Sequence, residues 1–168
     1  MKVILIIGKK RAGKTTLAST LIKKLARPKT FIYDINNEYT TKFGIPNDYK
    51  GPINEKSFLN EVQNQKNSMI VFEEASTYLS THGDEKALKD CLSRSRHTNN
   101  VVMLIFHSIA FVPIYIFAFS DYVGLFKTND FRASLDNKIR KNENLIAIYD
   151  RVRLNSNPHY FEFFENNT

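Results

Sequence analysis

Residues 8 to 15 read Gly-Lys-Lys-Arg-Ala-Gly-Lys-Thr, the complete G-x-x-x-x-G-K-[ST] pattern. A chain that carries this loop must lead a strand into it and a helix out of it, because the loop works when its N–H groups converge on an anion at a helix N-terminus. Both flanks are present. Lys2 to Ile7 is a β-branched run of the kind buried on both faces of a sheet. Leu17, Leu21, Ile22 and Leu25 then recur at helical spacing. Gly8 and Gly13 let the backbone curl so that successive N–H groups point inward at phosphate oxygens. The expected nucleotide-binding segment is therefore Gly8, Lys9, Lys10, Arg11, Ala12, Gly13, Lys14, Thr15 and Thr16. Within it Lys14 is expected at the β and γ phosphates of a nucleoside triphosphate and Thr16 near the α phosphate.

Arg27-Pro28 stops the first helix, and Thr30 to Tyr33 reads as a second strand ending in Asp34. A polar loop holding Gly44, Pro46, Gly51 and Pro52 follows, then a helix over Ser57 to Gln65 and a third strand, Ser68 to Phe72, ending in Glu73 and Glu74. The Leu88, Cys91, Leu92 spacing predicts a helix over Glu85 to Arg96. Val101 to Phe106 reads as a fourth strand closing on His107, and Tyr122 to Phe126 as a fifth. A polar helix is expected over Asn129 to Lys141. Leu145 to Val152 and His159 to Phe164 read as an antiparallel hairpin turning through Asn155-Ser156-Asn157-Pro158, with Tyr160, Phe161, Phe163 and Phe164 as its core rather than a base-stacking platform.

Strands alternating with helices predict one α/β domain over residues 1–168, a mostly parallel sheet flanked by helices with a C-terminal antiparallel hairpin. In such sheets ligands bind at the carboxyl ends of the strands. That rule brings Gly8, Asp34, Glu73, Glu74 and His107 to one edge, although Asp34 and Glu38 also suit a turn.

The formal net charge of +7 is uneven: Lys9, Lys10, Arg11 and Lys14 crowd the loop, Lys23, Lys24, Arg27 and Lys29 close the first helix, and Arg151 and Arg153 lie near the C-terminus. A polyanion is the natural partner of such a surface, with a solvated basic face as the plainer alternative. The one cysteine, Cys91, sits at core-facing spacing and suits a reducing compartment. The apolar run at the N-terminus is too short for a signal-peptide core, so an intracellular chain is expected. Val101 to Phe119 approaches the roughly 20 apolar residues that span a bilayer. His107, Ser108 and Pro113 interrupt it, and a buried strand followed by a short helix near Pro113 explains it better.

An apolar strand ending in two acids is the expected partner of the loop, because Mg²⁺ beside a triphosphate takes a carboxylate and hydrolysis needs a group that orients water. Glu73 is assigned to the metal together with the Thr15 hydroxyl, and Glu74 to the water. ATP and Mg²⁺ are the expected cofactors. Helix capping by the two acids is the alternative.

The phosphate loop, the Tyr33-Asp34-Ile35-Asn36-Asn37-Glu38-Tyr39 segment, the strand ending in Glu73-Glu74, and Ser95-Arg96 leading through Val101 to Phe106 into His107-Ser108 together resemble the FtsK/HerA superfamily of ring-forming DNA-pumping ATPases. The likeness is greatest to the genome-packaging ATPases of membrane-containing double-stranded DNA viruses and phages. The resemblance implies a homo-oligomeric ring acting on double-stranded DNA. It implies a capsid vertex or portal-like docking partner, an internal viral membrane as a further contact, and residence in the infected host cytoplasm or at the virion vertex. It also implies that His107 stands where the family places a γ-phosphate sensor, and that Arg96, with Arg94 as substitute, corresponds to an arginine acting in trans. Glu74, Glu73, Lys14, Arg96 and His107 are thus the expected catalytic set. A core histidine and a cationic helix end are the plainer readings of His107 and of the arginines. Three other functions compete: a nucleoside or nucleotide kinase, an assembly or export ATPase of the filamentous-phage type, and a nucleotide-gated binding module. No Arg-rich lid insertion separates the fourth and fifth strands, which weighs against the kinase.

Overall fold

The central strand is the one that feeds the glycine-rich loop. In the computed structural model, which describes residues 2–76, 82–133, 135 and 143–166 and leaves aside the side chains of residues 55, 82–84 and 96, β1 (Lys2–Ile7) lies between β4 (Val101–Phe106) and β5 (Tyr122–Phe126). With β2 (Lys29–Tyr33), β3 (Ser68–Phe72) and β6 (Phe161–Glu165), the sheet order is β2-β3-β4-β1-β5-β6. The first five strands run parallel; β6 is antiparallel to β5, with Phe126 opposite Phe161.

β3 and β4 are buried along their whole length, as strands must be when helices cover both faces. Alternate residues then feed two cores. Val3, Leu5 and Ile7 join Val102, Leu104 and Phe106 on one face, where α3 (Glu55–Val62), α4 (His82–Thr98), α5 (Ile114–Phe119) and α6 (Glu143–Leu154) pack through Phe58, Leu92, Ile116 and Ile148. Ile4 and Ile6 join Met103 and Ile105 on the other, under α1 (Lys14–Leu25) and α2 (Glu38–Phe43) through Ala18, Ile22 and Tyr39. Each large aliphatic side chain buried this way contributes about 1.5–3 kcal/mol. Phe58 adds edge contacts to Tyr33, Tyr49 and Phe72 at centroid separations of 5.6, 4.9 and 5.2 Å.

The outer margin of β2 is closed by side chains. The Asn47 amide accepts from the Ile32 N–H (2.9 Å) and donates to its carbonyl (2.7 Å), while Asp48 takes the Thr30 N–H through its carboxylate and gives its own N–H to the Thr30 carbonyl, both at 2.7 Å.

Two segments differ from the sequence reading. Residues 145–152 are helix, not strand: Leu145, Ile148, Tyr149 and Val152 are buried at positions i, i+3, i+4 and i+7, and an apolar run this short fits either period. The antiparallel partner of β6 is therefore β5, and Phe161 and Phe163 stand on a half-open sheet face rather than in a hairpin core. The loop after Asp34 contains α2, whose end is marked by Gly44 in the left-handed region (φ 63°). The Asn129–Lys141 helix lies mostly outside the described residues. Val101 to Phe119 divides into β4, a 3₁₀ turn (Ile109–Phe111) and α5, and no described helix is long and apolar enough to cross a membrane. Cys91 is buried, which pushes its thiol up to about 12.

Candidate active site

The loop leaves β1 at Gly8, which has room for no side chain: a Cβ there would stand 2.5 Å from the Phe126 Cβ. The Gly8 N–H donates to the Phe106 carbonyl (3.1 Å) and the Lys9 N–H to the Lys127 carbonyl (2.8 Å), so β4 and β5 pin the loop from both sides. Gly13 adopts φ 107°, a conformation that favours glycine, and opens α1. α1 has no side-chain cap and no acid in its first turn. Its first N–H groups and its dipole thus favour an anion.

Lys14 curls back into the loop and is 5% exposed. Its ammonium donates to the Lys9 carbonyl at 3.0 Å and to His107 Nδ1 at 3.1 Å. An ammonium has no lone pair, so Nδ1 must accept and Nε2 carries the ring proton, which it donates to Glu74 Oε1 at 3.1 Å. Lys14, His107 and Glu74 thus form one chain of hydrogen bonds from the start of α1 across the ends of β4 and β3. Burial lowers the Lys14 pKa, against the opposing pull of Glu73 and Glu74.

Glu73 and Glu74 part company as β3 ends. Glu74 takes φ 56°, an uncommon conformation for a residue with a side chain, and joins His107. Glu73 is held by the Tyr39 hydroxyl, which donates to its Oε2. Burial raises the Glu73 pKa to about 7, although Tyr39 and Lys14 both favour its charged form. Tyr39, 1% exposed, has its own pKa raised well above the usual value by burial and by the same carboxylate.

Asp34 lies at the same edge but serves locally, accepting from the Asn36 and Tyr39 N–H groups at 3.1 and 2.9 Å and so starting α2. Glu38 pairs with Lys42 one helical turn on, at 2.8 Å. Arg151, counted with the basic residues, is bound through two nitrogens to Glu162 at 2.8 and 2.6 Å.

The arginines lie elsewhere. Thr98, the last residue of α4, accepts from the Asn67 N–H just ahead of β3 (2.8 Å), at the amino edge of the sheet. β1 and β4 run in register from Lys2 opposite Val101 to Ile7 opposite Phe106. The last turn of α4 is therefore about 20 Å from its own phosphate loop, the rise of that length of strand. Arg94 is exposed in that turn; Arg96 shares it, and its side chain lies outside the described residues. The turn that carries both arginines thus stands at the opposite edge of the sheet from its own phosphate loop.

Sequence reasoning missed four contributors. Tyr39 sits in the segment read as a polar loop, where Gly44 as a helix stop is the available signal. Asp130 receives Ser108 Oγ and the Ile109 N–H (2.9 Å), fixing the chain just past His107; nothing in the sequence marks it. Phe126 and His159 pack against the loop, the latter through its Nδ1 to the Ala12 carbonyl at 3.3 Å. A cleft of about 860 Å³ runs over the loop and the start of α1, bounded by Glu38, Lys42 and Phe43 of α2 and by Phe126, His159 and Phe161.

Residues 1–109 match the family model described as an AAA domain. No curated protein sequence matches the chain. Among solved structures, the genome packaging NTPase B204 from Sulfolobus turreted icosahedral virus 2 in complex with AMP is similar over 99% of this chain and 93% of that one, with a TM-score of 0.71 at 15% identity. The same NTPase in complex with ATP-gammaS gives 0.70 at 14% identity, over 99% and 92% of the two chains. The N-terminal domain of zonular occludens toxin from Neisseria meningitidis gives 0.52 at 13% identity, over 76% and 78%. At these identities the likeness is one of fold.

Proposed function

We propose that this chain, which belongs to the AAA domain family, hydrolyses ATP to move double-stranded DNA, as a genome-packaging motor of the FtsK/HerA kind that works as a homo-oligomeric ring. The observation that carries hydrolysis is the Lys14–His107–Glu74 chain, which joins the phosphate-binding lysine to an acid across two strand ends. Glu74 orients a water toward the γ phosphate and accepts its proton, leaving ADP and phosphate. Lys14 stabilises charge on the transferred group and His107 holds Glu74 in register with it. The Thr15 hydroxyl and the Glu73 carboxylate are hard oxygen donors of the kind Mg²⁺ takes beside a nucleotide, and among the described residues no group of three or more His, Cys, Asp or Glu could hold a metal ion by itself. Bound there, Mg²⁺ would neutralise phosphate charge.

The DNA-moving part of the reading is supported by the net charge of +7, by the similarity in fold to viral packaging NTPases, and by an arginine turn remote from its own loop. In a ring, Arg96 or Arg94 serves the neighbouring site. The ring docks on a capsid vertex or portal-like protein, beside an internal membrane where the virion has one, in the host cytoplasm or at the virion vertex. The test is the ATPase rate with and without duplex DNA. Stimulation supports the motor, and phosphate transfer to an added nucleoside overturns it in favour of a kinase.

A further inference from the structure

The cleft over the phosphate loop continues into an aromatic side that phosphate contacts leave unused. Sheet order sets the direction of a bound nucleotide. Glu73, Glu74 and His107 close β3 and β4 on one side of β1, whereas Phe126 and Phe161 belong to β5 and β6 on the other. Terminal phosphates held by Lys14, on the side of β1 where the acids stand, leave the sugar and base pointing toward β5 and β6.

What waits there is a stack. Phe126 is wedged beneath the loop, so close that a Cβ added at Gly8 would stand 2.5 Å from it and one added at Gly13 3.4 Å. Phe161 lies on it with centroids 4.7 Å apart and planes 24° from parallel. Phe161 is 37% exposed and lines the cleft, and His159 stands beside it, its Nδ1 donating to the Ala12 carbonyl.

We infer that the outer face of Phe161, backed by Phe126 and flanked by His159, is a stacking platform for the nucleobase, which reads the base by its π face and leaves its identity largely unselected. The inference rests on the nucleotide-hydrolysing reading above. Phe126 and Phe161 offer area but no hydrogen-bonding group, and a base held by stacking on them is discriminated weakly. Glu38 and Lys42 line the cleft from α2, and they are paired with each other.

The test compares the full chain with Phe161→Leu, Phe161→Trp and Phe163→Ala, measuring KM for ATP and for inorganic tripolyphosphate, which has no base, with thermal melts to verify folding. Phe163 is the control, because it lies on the same face stacked on Tyr122 at 5.7 Å, one step from the cleft lining. Phe161→Leu should raise KM for ATP about tenfold and leave that for tripolyphosphate unchanged. Phe161→Trp should restore ATP, Phe163→Ala should change neither, and the four common triphosphates should fall within about tenfold of one another. Equal losses on both substrates, or no loss on either, overturn the platform and leave the phosphate-loop reading standing. A wild-type chain that binds neither substrate overturns both. A preference above about a hundredfold for one base overturns the weak selectivity.

Discussion

The Lys14 ammonium and His107 Nδ1 hold one another at 3.1 Å. A terminal phosphate arriving in the loop competes for that ammonium, so nucleotide binding and the hydrogen bond between His107 and Glu74 are coupled through one ring. An amide can reproduce the bridge, accepting with its oxygen and donating with its nitrogen. His107→Gln should therefore keep turnover within about tenfold of wild type, while His107→Ala should lower it about a hundredfold. Steady-state rates at saturating ATP decide this, and equal activity of the two variants would remove the bridging role.

Lys14→Ala should abolish turnover, with a loss of at least about a hundredfold, because the charge it removes faces phosphate. A folded Lys14→Ala protein with wild-type hydrolysis would take the active site away from this loop.

Glu74→Gln should bind ATP normally and slow its hydrolysis by about 10² to 10⁴, since an amide holds water but accepts its proton poorly. Filter binding separates the two effects. If Glu73→Gln alone stops turnover and Glu74→Gln does not, the two acids have exchanged roles.

The elevated Glu73 pKa gives a stability profile of unusual sign. Its folded value, about 7, lies above the 4.5 of the free side chain, so the folded chain binds the extra proton between these limits. Stability from this group is full below about pH 4.5, is lost as pH rises to about 7, and is flat above. The loss is on the order of 3 kcal/mol. Denaturation of the nucleotide-free protein at pH 5 and 8 should show this fall, and Glu73→Gln should reduce it.

The turn of α4 that carries Arg96 stands about 20 Å from its own loop, so the contribution of this arginine should require assembly. Hydrolysis should rise more than linearly with protein concentration. Mixtures of Arg96→Ala with Lys14→Ala should recover activity at mixed interfaces, since each variant keeps what the other lacks; a trans arginine is worth about 10³ to 10⁵ in rate. Indifference to both mixing and concentration would confine Arg96 to its helix end. Duplex binding, for its part, should be independent of sequence and weaken steeply with salt.

The phosphate loop was legible because its chemistry needs fixed residues at fixed spacing, and it brought the flanking strand and helix with it. The other parallel strands were legible because full burial writes continuous apolar runs, as in Val101 to Phe106. Residues 145–152 differ from the sequence reading because their short apolar run satisfies both periods, and only the packing of Ile148 and Tyr149 against the sheet selects one. The sequence marks Tyr39 as part of a motif but not as the partner of Glu73, because their meeting depends on α2 folding back over the ends of β2 and β3. Asp130 was illegible for the same reason: a single acid after a strand acquires meaning only when the chain beyond His107 comes within its reach.

Asn47 and Asp48 satisfy the outward backbone groups of β2 with partners from the same chain. A row of open N–H and C=O groups is a template on which any extended segment can add itself, and crowding many copies together multiplies the opportunity. At this margin the template is already filled. Copies of the chain gathered at high local concentration cannot propagate the sheet from β2, so aggregation by strand addition is blocked there.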